Sequence, residues 1–198
     1  MTGRLYVADV DEEHNVDKWV HVKFGLNEGK ELRFSDARKF GKVYLVSDLA
    51  SELGDIGPEP LDDDFTVDVF KSRLEGRSKM IKPLLLDQTF IAGVGNIYAD
   101  EALHKAGIHP TRRSDELSDD DIVKLHGTIR DALNAGIQHE GASINWYRKP
   151  DGTQGDSQNH FFVYGQEGKV CQTCGKRTIE KTRVAQRGTH YCPFCQQH

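Results

Sequence analysis

The sequence contains no apolar run long enough to cross a bilayer, which argues against an integral membrane protein. The opening residues 1–10 also lack the positively charged and apolar regions of a secretory signal peptide. Cysteines are few, four in 198 residues, which argues against a disulfide-rich secreted scaffold. We therefore expect a soluble protein of a reducing compartment, the cytoplasm, with one or two packed domains.

An overall excess of positive charge is missing as well. The chain has 26 Lys and Arg against 31 Asp and Glu, a net charge of −5. The charges are unevenly placed, because acids gather in residues 9–17, 48–64 and 115–121, whereas bases gather in 33–42, 71–82 and the cysteine-containing segment. Local patches decide phosphate binding, so the total charge does not exclude a nucleic-acid partner.

The four cysteines form two C-x2-C pairs separated by seventeen residues: Cys171, Cys174, Cys192 and Cys195. Each pair can offer two thiolates to one ion from a tight turn, and two pairs complete a tetrahedral zinc site. Zinc held by four sulfurs has no open position for water, so we expect one structural Zn²⁺ that does no chemistry. Two disulfides are the alternative, disfavoured because the chain shows no secretion signal.

Between the two pairs, five bases stand against a single acid. A basic hairpin held by zinc is a common phosphate-binding device, although zinc ribbons also serve as protein contacts. The bases are Lys176, Arg177, Lys181, Arg183 and Arg187, and the acid is Glu180.

The first third of the chain has the alternation of β-strands. Strands are predicted at residues 4–8, 19–26, 30–34 and 42–46, with a hairpin turn at 27–29. Residues 48–64 combine acids with glycines and prolines, which predicts a connector and a domain boundary.

From Thr66 onward the pattern becomes helical. Thr66 is a predicted N-cap, and the helix after it should bury Val69, Phe70 and Leu74 and end at Gly76. Pro83 suits the first turn of a short helix that carries three leucines.

A glycine turn, Gly93-Val94-Gly95, interrupts this helix, and Asn96 is predicted to cap the next one, which Gly107 closes. Ser118 starts a longer helix whose apolar stripe indicates core packing. The stripe is Ile122, Leu125, Ile129, Leu133 and Ile137. Residues 139–155 form a long polar loop, and 160–164 predict a strand leading into the zinc hairpin.

Several motifs together resemble the formamidopyrimidine-DNA glycosylase and endonuclease VIII family, and the formamidopyrimidine branch fits better. They are IKPLLLDQ at 81–88, AGVGNIYADE at 92–101, AGIHP at 106–110, VYG at 163–165, AQRGT at 185–189 and the four cysteines. Upstream, DARKFG at 36–41 and GPEPL at 57–61 also match. The resemblance covers nearly the whole chain, and the motifs are jointly very specific.

The resemblance implies an α+β fold in four parts. Residues 1–47 would be the C-terminal part of a β-sandwich catalytic domain, and 48–65 a linker. A helix–two-turn–helix DNA-binding domain would cover 66–160 and a zinc-finger hairpin 161–198. The implied function is base-excision repair at the nucleoid: flipping an oxidised purine from duplex DNA, cleaving its glycosidic bond and nicking the abasic strand by elimination.

By the same resemblance, six residues should contact damaged double-stranded DNA. Lys82, Asn96 and Arg187 would bind phosphates beside the lesion, and Arg187 would also assist the elimination step. Met1, Arg38 and Phe40 would fill the space left by the extruded base. From the residues alone, a solvated Arg38 next to a core Phe40 at the end of a strand is the favoured interpretation, and the resemblance reverses this preference.

Two departures from the family pattern stand out. Gly155-Asp156-Ser157 replaces a Gly-Tyr-Phe in the loop that covers the extruded base, so base preference can differ. The family's nucleophilic N-terminal proline, its neighbouring glutamate and a lysine on an early hairpin have no counterpart here. Residues 1–5 resemble an internal family segment, so we expect the chain to begin near the middle of the first domain.

Two alternatives therefore stay open. A non-catalytic, zinc-dependent DNA-binding fragment would explain the missing proline and glutamate. A zinc-ribbon protein of the translation machinery would explain the cysteines but not the DARKFG motif. The full-length family implies a monomer, whereas half a sandwich, with an open edge and an apolar face, favours self-association.

Overall fold

The computed structural model describes residues 3–10, 17–144, 149 and 153–197. The chain divides into two compact units. The sheet unit comprises Met1–Leu49 with Gly136–Asn159, and the helical unit comprises Ala50–Ala135 with His160–His198. Within the described residues, no helix has both the length and the apolar character that a bilayer span requires.

The sheet unit contains a three-stranded antiparallel sheet in the order β1-β3-β2. Its strands are β1 (Arg4–Asp9), β2 (Val20–Gly25) and β3 (Lys30–Ser35). Glu28 and Gly29 both have positive φ, 60° and 69°, which is the geometry of a two-residue hairpin turn. The three strands and the turn that alternation predicts are therefore confirmed.

One face of this sheet is apolar. Leu5 pairs with Phe34 and Phe34 with Val22, while Val7 pairs with Leu32 and Leu32 with Phe24. Cross-strand partners share a face, so all six side chains point the same way. Leu5, Val7 and Phe24 are 52%, 43% and 41% exposed. The face thus lies largely open to solvent.

The strand predicted at residues 42–46 is wrong. These residues are irregular and pair with no strand in the part of the chain that the structure describes. Val43, Tyr44 and Leu45 are exposed. Alternation indicates which way side chains would point, but a strand also needs a neighbour to hydrogen-bond.

In the part of the chain that the structure describes, five helices follow the sheet: α1 (Leu49–Leu53), α2 (Val67–Leu74), α3 (Ile81–Leu85), α4 (Asn96–Ala106) and α5 (Asp119–Gln138). Short 3₁₀ turns lie at Ser114–Glu116 and Ser157–Asn159. The starts of α2 and α5 follow the predicted signals. Thr66 Oγ1 accepts the N–H of Val69 (3.3 Å), and Ser118 and Asp121 form a reciprocal capping box.

The helical unit has a closed apolar core. Phe70, Leu74, Leu125 and Ile129 are buried as predicted. Val69 and Ile137 were expected there but are 36% and 64% exposed. Ile137 lies in the last turn of α5, outside the core. The apolar repeat of the sequence therefore extends beyond the part of the helix that packs in this core.

The zinc hairpin consists of β4 (Glu180–Val184) and β5 (Arg187–Tyr191). The strand predicted at 160–164 is absent. Instead, the N–H groups of Phe162, Val163 and Tyr164 all donate to the buried carboxylate of Glu101 on α4, at 2.9–3.0 Å. A side chain thus takes the amide donors that a strand neighbour would otherwise have used.

Candidate nucleic-acid interface and metal centre

The four cysteine sulfurs lie within 4.8 Å of one another. The Sγ atoms of Cys171 and Cys195 are 3.8 Å apart, and those of Cys174 and Cys192 are 3.7 Å apart. A tetrahedral Zn²⁺ with Zn–S bonds of about 2.3 Å requires sulfurs about 3.8 Å apart, whereas a disulfide requires about 2.05 Å. The geometry fits one structural Zn²⁺, and the disulfide alternative is wrong.

The surroundings of the cysteines are uneven. The pKa of Cys174 is lowered to about 6, chiefly because the N–H of Lys176 donates to its sulfur at 3.5 Å. Burial raises the pKa of Cys192 and Cys195. A bound divalent ion deprotonates such thiols outright. Zn²⁺, when bound, would therefore stabilise the thiolate forms of Cys192 and Cys195, which burial disfavours.

Lys82 is fully buried at the start of the short helix α3. Its Nζ forms an ion pair with Asp100 Oδ1 at 2.5 Å. Nζ also donates to the Gly188 carbonyl (3.0 Å) and to Thr189 Oγ1 (2.8 Å). Burial lowers the pKa of Lys82, Asp100 opposes this, and the charge of Arg187 adds to the lowering.

Asn96 meets the same carbonyl. Its Nδ2 donates to the oxygen of Gly188 at 2.9 Å, and Gly95, not Asn96, is the N-cap of α4. The capping role predicted for Asn96 is therefore wrong. Its side chain instead joins the start of the helix to the strand that begins at Arg187. The buried Asn96 Oδ1 has no hydrogen-bond partner among the described residues.

Arg187 begins β5 at the tip of the zinc hairpin and is exposed. The two tip residues before it, Ala185 and Gln186, have φ of 45° and 63°. Alanine in this region is strained, and such strain concentrates at functional sites. The structure brings Lys82, Asn96 and Arg187 together, since the first two bind the carbonyl of the residue next to the third.

The turn before α4 leaves backbone open. Gly93 has φ +71°, and its N–H donates to Gln88 Oε1. Gly95 has an extended φ of −98°, and a Cβ built there would meet no atom within 4 Å. Glycine is thus required at 93 by conformation, whereas nothing in the described structure requires it at 95. A bound group that approaches the backbone closely would explain a glycine at 95, because a side chain there would block it.

In the sheet unit, Arg38 and Phe40 lie on the loop after β3. Phe40 is 73% exposed, and the Arg38 guanidinium lies 5.2 Å from its ring centroid. The interpretation of Phe40 as a core residue is therefore wrong. The loop borders a cavity of about 260 Å³, which Phe34 and Asp36 also line.

Met1 lies outside the described residues, as do parts of the loop 143–158. Sequence reasoning missed Asp36, Asp100, Glu101 and Gly188, which organise the loop, the helix and the hairpin. For α4, the sequence did contain a signal: Asp100 and Glu101 are adjacent acids between apolar residues, which indicates buried carboxylates with specific partners.

Comparison with known proteins finds matches to all three parts of the chain that carry these residues. Family models match at 1–43 (formamidopyrimidine-DNA glycosylase N-terminal domain), 56–148 (its H2TH domain) and 168–197 (a zinc finger found in FPG and IleRS). Formamidopyrimidine-DNA glycosylases of Herpetosiphon aurantiacus and Roseiflexus sp. are each 47% identical over 99% and 100% of the chain, which covers 71% and 72% of theirs.

Solved structures of the same kind also match. Lactococcus lactis Fpg in complex with abasic-site DNA superposes with a TM-score of 0.90 at 39% identity, covering 100% of this chain and 73% of that one. MutM in complex with DNA containing carbocyclic 8-oxo-G gives a TM-score of 0.89 at 39% identity, covering 100% and 72%.

Proposed function

Because the chain belongs to the formamidopyrimidine-DNA glycosylase family, we propose that it acts in base-excision repair on damaged double-stranded DNA. The family's proteins are DNA glycosylases with abasic-site lyase activity. Oxidised purines of the 8-oxoguanine and formamidopyrimidine type are the proposed substrates, and the cytoplasm, at the nucleoid, is the proposed location. The described residues would supply duplex recognition.

The observation that carries the proposal is the convergence at the Gly188 carbonyl. Lys82 and Asn96 both bind it, which holds the hairpin tip with Arg187 beside the start of α4. The first turn of a helix has N–H groups without intrahelical partners and a partial positive charge. Together with the open backbone at Gly95, this makes a site for a DNA phosphate.

Lys82 has a different proposed part from the direct phosphate contact that the resemblance implies. Its ammonium is fully buried and surrounded by three protein acceptors. A phosphate contact would displace one of them. We propose that Lys82 mainly positions the hairpin strand, and that Arg187, Asn96 and the helix start face the phosphate.

Arg38 and Phe40 would fill the space left by the flipped base. An exposed aromatic ring beside a guanidinium suits unstacking of a base step and hydrogen bonding to the orphaned partner base. Phe40 is 73% exposed among the residues that the structure describes, so most of its ring is accessible to a base step. Met1 would join them, as the resemblance implies.

The lyase step of the family passes through a Schiff base, and Arg187 would assist its elimination. Borohydride trapping of the 198-residue chain on duplex DNA with 8-oxoguanine or an abasic site tests this, with a gel shift alongside. A trapped adduct would support the lyase. Binding without an adduct would support the alternative, a zinc-dependent DNA-binding module, and no binding would refute both.

Arg187→Ala with Arg183→Ala as control tests the phosphate contact. Arg183 pairs with Gly188 across the hairpin, and adjacent residues alternate faces, so its side chain lies on the opposite face from Arg187. We expect Arg187→Ala to weaken binding to all duplexes and to reduce the salt slope by about 1. Arg183→Ala should do neither. Equal effects would mean that the hairpin contributes only general positive charge.

A further inference from the structure

The loop that carries Arg38 and Phe40 is held by one carboxylate. Asp36 is 3% exposed. Its Oδ1 accepts the N–H of Arg38 (3.2 Å), and its Oδ2 accepts the N–H groups of Phe40 (2.9 Å) and Gly41 (2.8 Å). Hydrogen bonds to a charged acceptor are about twice as strong as neutral ones. One side chain thus fixes the backbone on both sides of Phe40.

The backbone of Asp36 is itself anchored. Its N–H donates to the Trp19 carbonyl (3.0 Å), and its own carbonyl accepts the N–H of Lys39 (3.1 Å) and lies 3.1 Å from His21 Nε2. The carboxylate therefore acts from a fixed point at the end of β3. Lys39, at the tip, has φ +55°, a conformation that needs support from its surroundings.

The far end of the loop is fixed by packing. A Cβ on Gly41 would lie 2.2 Å from Phe34 Cζ, so only glycine allows the chain to lie on this ring. Between these two fixed ends the Phe40 side chain points into solvent. A flexible loop would instead let Phe40 collapse onto the neighbouring apolar surface, since burying an aromatic ring is favourable.

We propose that Asp36 is a positioning residue that holds Arg38 and Phe40 in the geometry for insertion into duplex DNA. This inference rests on the proposed function. The loop loses its conformational entropy when the protein folds. Insertion into DNA then carries no further entropy cost for ordering this loop. Asp36 itself touches no DNA in this proposal, so its effect is confined to extrusion and spares the phosphate contacts.

The test uses the full chain and a tetrahydrofuran-containing duplex with 2-aminopurine beside the abasic site. Unstacking raises the fluorescence of 2-aminopurine. We expect Asp36→Asn to reduce the preference for this duplex over an undamaged one by about tenfold and to abolish the fluorescence rise. Affinity for the undamaged duplex should stay within about twofold, because phosphate contacts supply it.

Glu31→Gln is the matched control, since Glu31 is an acid of the same unit that pairs with Arg33 at 2.9 Å, at the other end of β3 from Asp36. It should leave both readouts unchanged. Asp36→Asn/Phe40→Ala should be no worse than Phe40→Ala, because residues that act as one are non-additive.

Three outcomes decide against the inference. A normal fluorescence rise in Asp36→Asn overturns it, and so do additive losses in the double variant. If the wild-type chain shows neither preference nor a fluorescence rise, the proposed function fails as well. The first two outcomes leave the proposed function standing, so the failures are distinguishable.

Discussion

The two units of this protein obtain rigidity in different ways. The helical unit surrounds its apolar side chains, and Leu84, Leu103 and Leu125 are fully buried. The sheet unit leaves one apolar face open, so that Leu5 is 52% exposed. In the first, a residue is held by packing on all sides. In the second, the loop that carries Phe40 is held mainly by hydrogen bonds to one carboxylate.

This difference shows in how each unit presents its proposed DNA contacts. Arg187 is placed through Lys82 and Asn96, which belong to the packed framework. Arg38 and Phe40 are placed through Asp36, which works locally. Damage to the framework should therefore affect stability and binding together, whereas damage to the loop should affect binding alone.

The largest expected effect is loss of zinc from the helical unit. Cys174→Ser leaves three sulfurs, and structural zinc in small modules contributes about 10–16 kcal/mol of apparent binding free energy to folding. The hairpin should unfold and duplex binding should be lost, as measured by metal content and gel shift. Backbone resonances of β1, β2 and β3 should stay unchanged.

The complementary experiment is chelation of the wild-type chain followed by return of zinc, which should restore binding. If Cys174→Ser binds the duplex normally, the hairpin does not belong to the DNA interface. If the resonances of the sheet also change, the two units are not independent in stability.

Next in size is the buried ion pair of the helical unit. Lys82→Met leaves Asp100 buried without its countercharge, and removal of one partner costs about 3–5 kcal/mol. The loss should appear in chemical denaturation without DNA. Lys82→Met/Asp100→Asn should recover part of it, since the unpaired carboxylate is then replaced by a neutral amide. Arg187→Ala should leave stability unchanged because its side chain is exposed.

A Lys82→Met variant with normal stability but weak binding would contradict this assignment. It would mean that Lys82 meets the phosphate directly, as the family resemblance implies.

Much of the local structure is predictable from the sequence, because caps and turns are local. Thr66, Ser118 and the hairpin turn at 27–29 each specify their own element within four residues. The four cysteines specify the metal site through their spacing. These features need no knowledge of the rest of the chain.

The contacts that join elements are not predictable in this way. Asp100 and Glu101 are charged, so a local interpretation puts them on the surface, yet each is buried against a partner distant in sequence. Residues 42–46 fail for the opposite reason, because their pattern is right for a strand but no described neighbour pairs with them. The backbone on both sides of Phe40 is bound by the carboxylate of Asp36, which the pattern of the sequence does not show.

A smaller effect concerns pH and His104 in the helical unit. Burial lowers the pKa of His104 below its ordinary 6.5. Nδ1 lies 3.2 Å from Gln196 Oε1 and Nε2 lies 2.8 Å from Thr173 Oγ1, which suits a neutral ring that donates from Nδ1 and accepts at Nε2. The unfolded chain therefore binds a proton at a higher pH than the folded one does.

Stability from His104 is present above about pH 6.5 and falls as the pH drops below it, by at most about 1.4 kcal/mol per pH unit. Denaturation at saturating zinc between pH 7.5 and 5 measures the slope. His104→Gln cannot gain the proton and should show a smaller slope, and the difference isolates His104 from the thiolates. Equal slopes would show that the ring is protonated in the folded state too.

The smallest effect is expected on the open face of the sheet unit. Leu5→Ala should cost less than about 1 kcal/mol at low protein concentration, because half of the side chain is already in water. Leu103→Ala, in the closed core, is the control and should cost about 2–5 kcal/mol. We expect the Leu5 cost to rise with protein concentration, since a second copy that covers this face would stabilise the folded chain by mass action. Sedimentation velocity at the same concentrations measures the association. A core-like cost at every concentration would mean that the face is covered within a single chain, and the contrast between the two units would not hold.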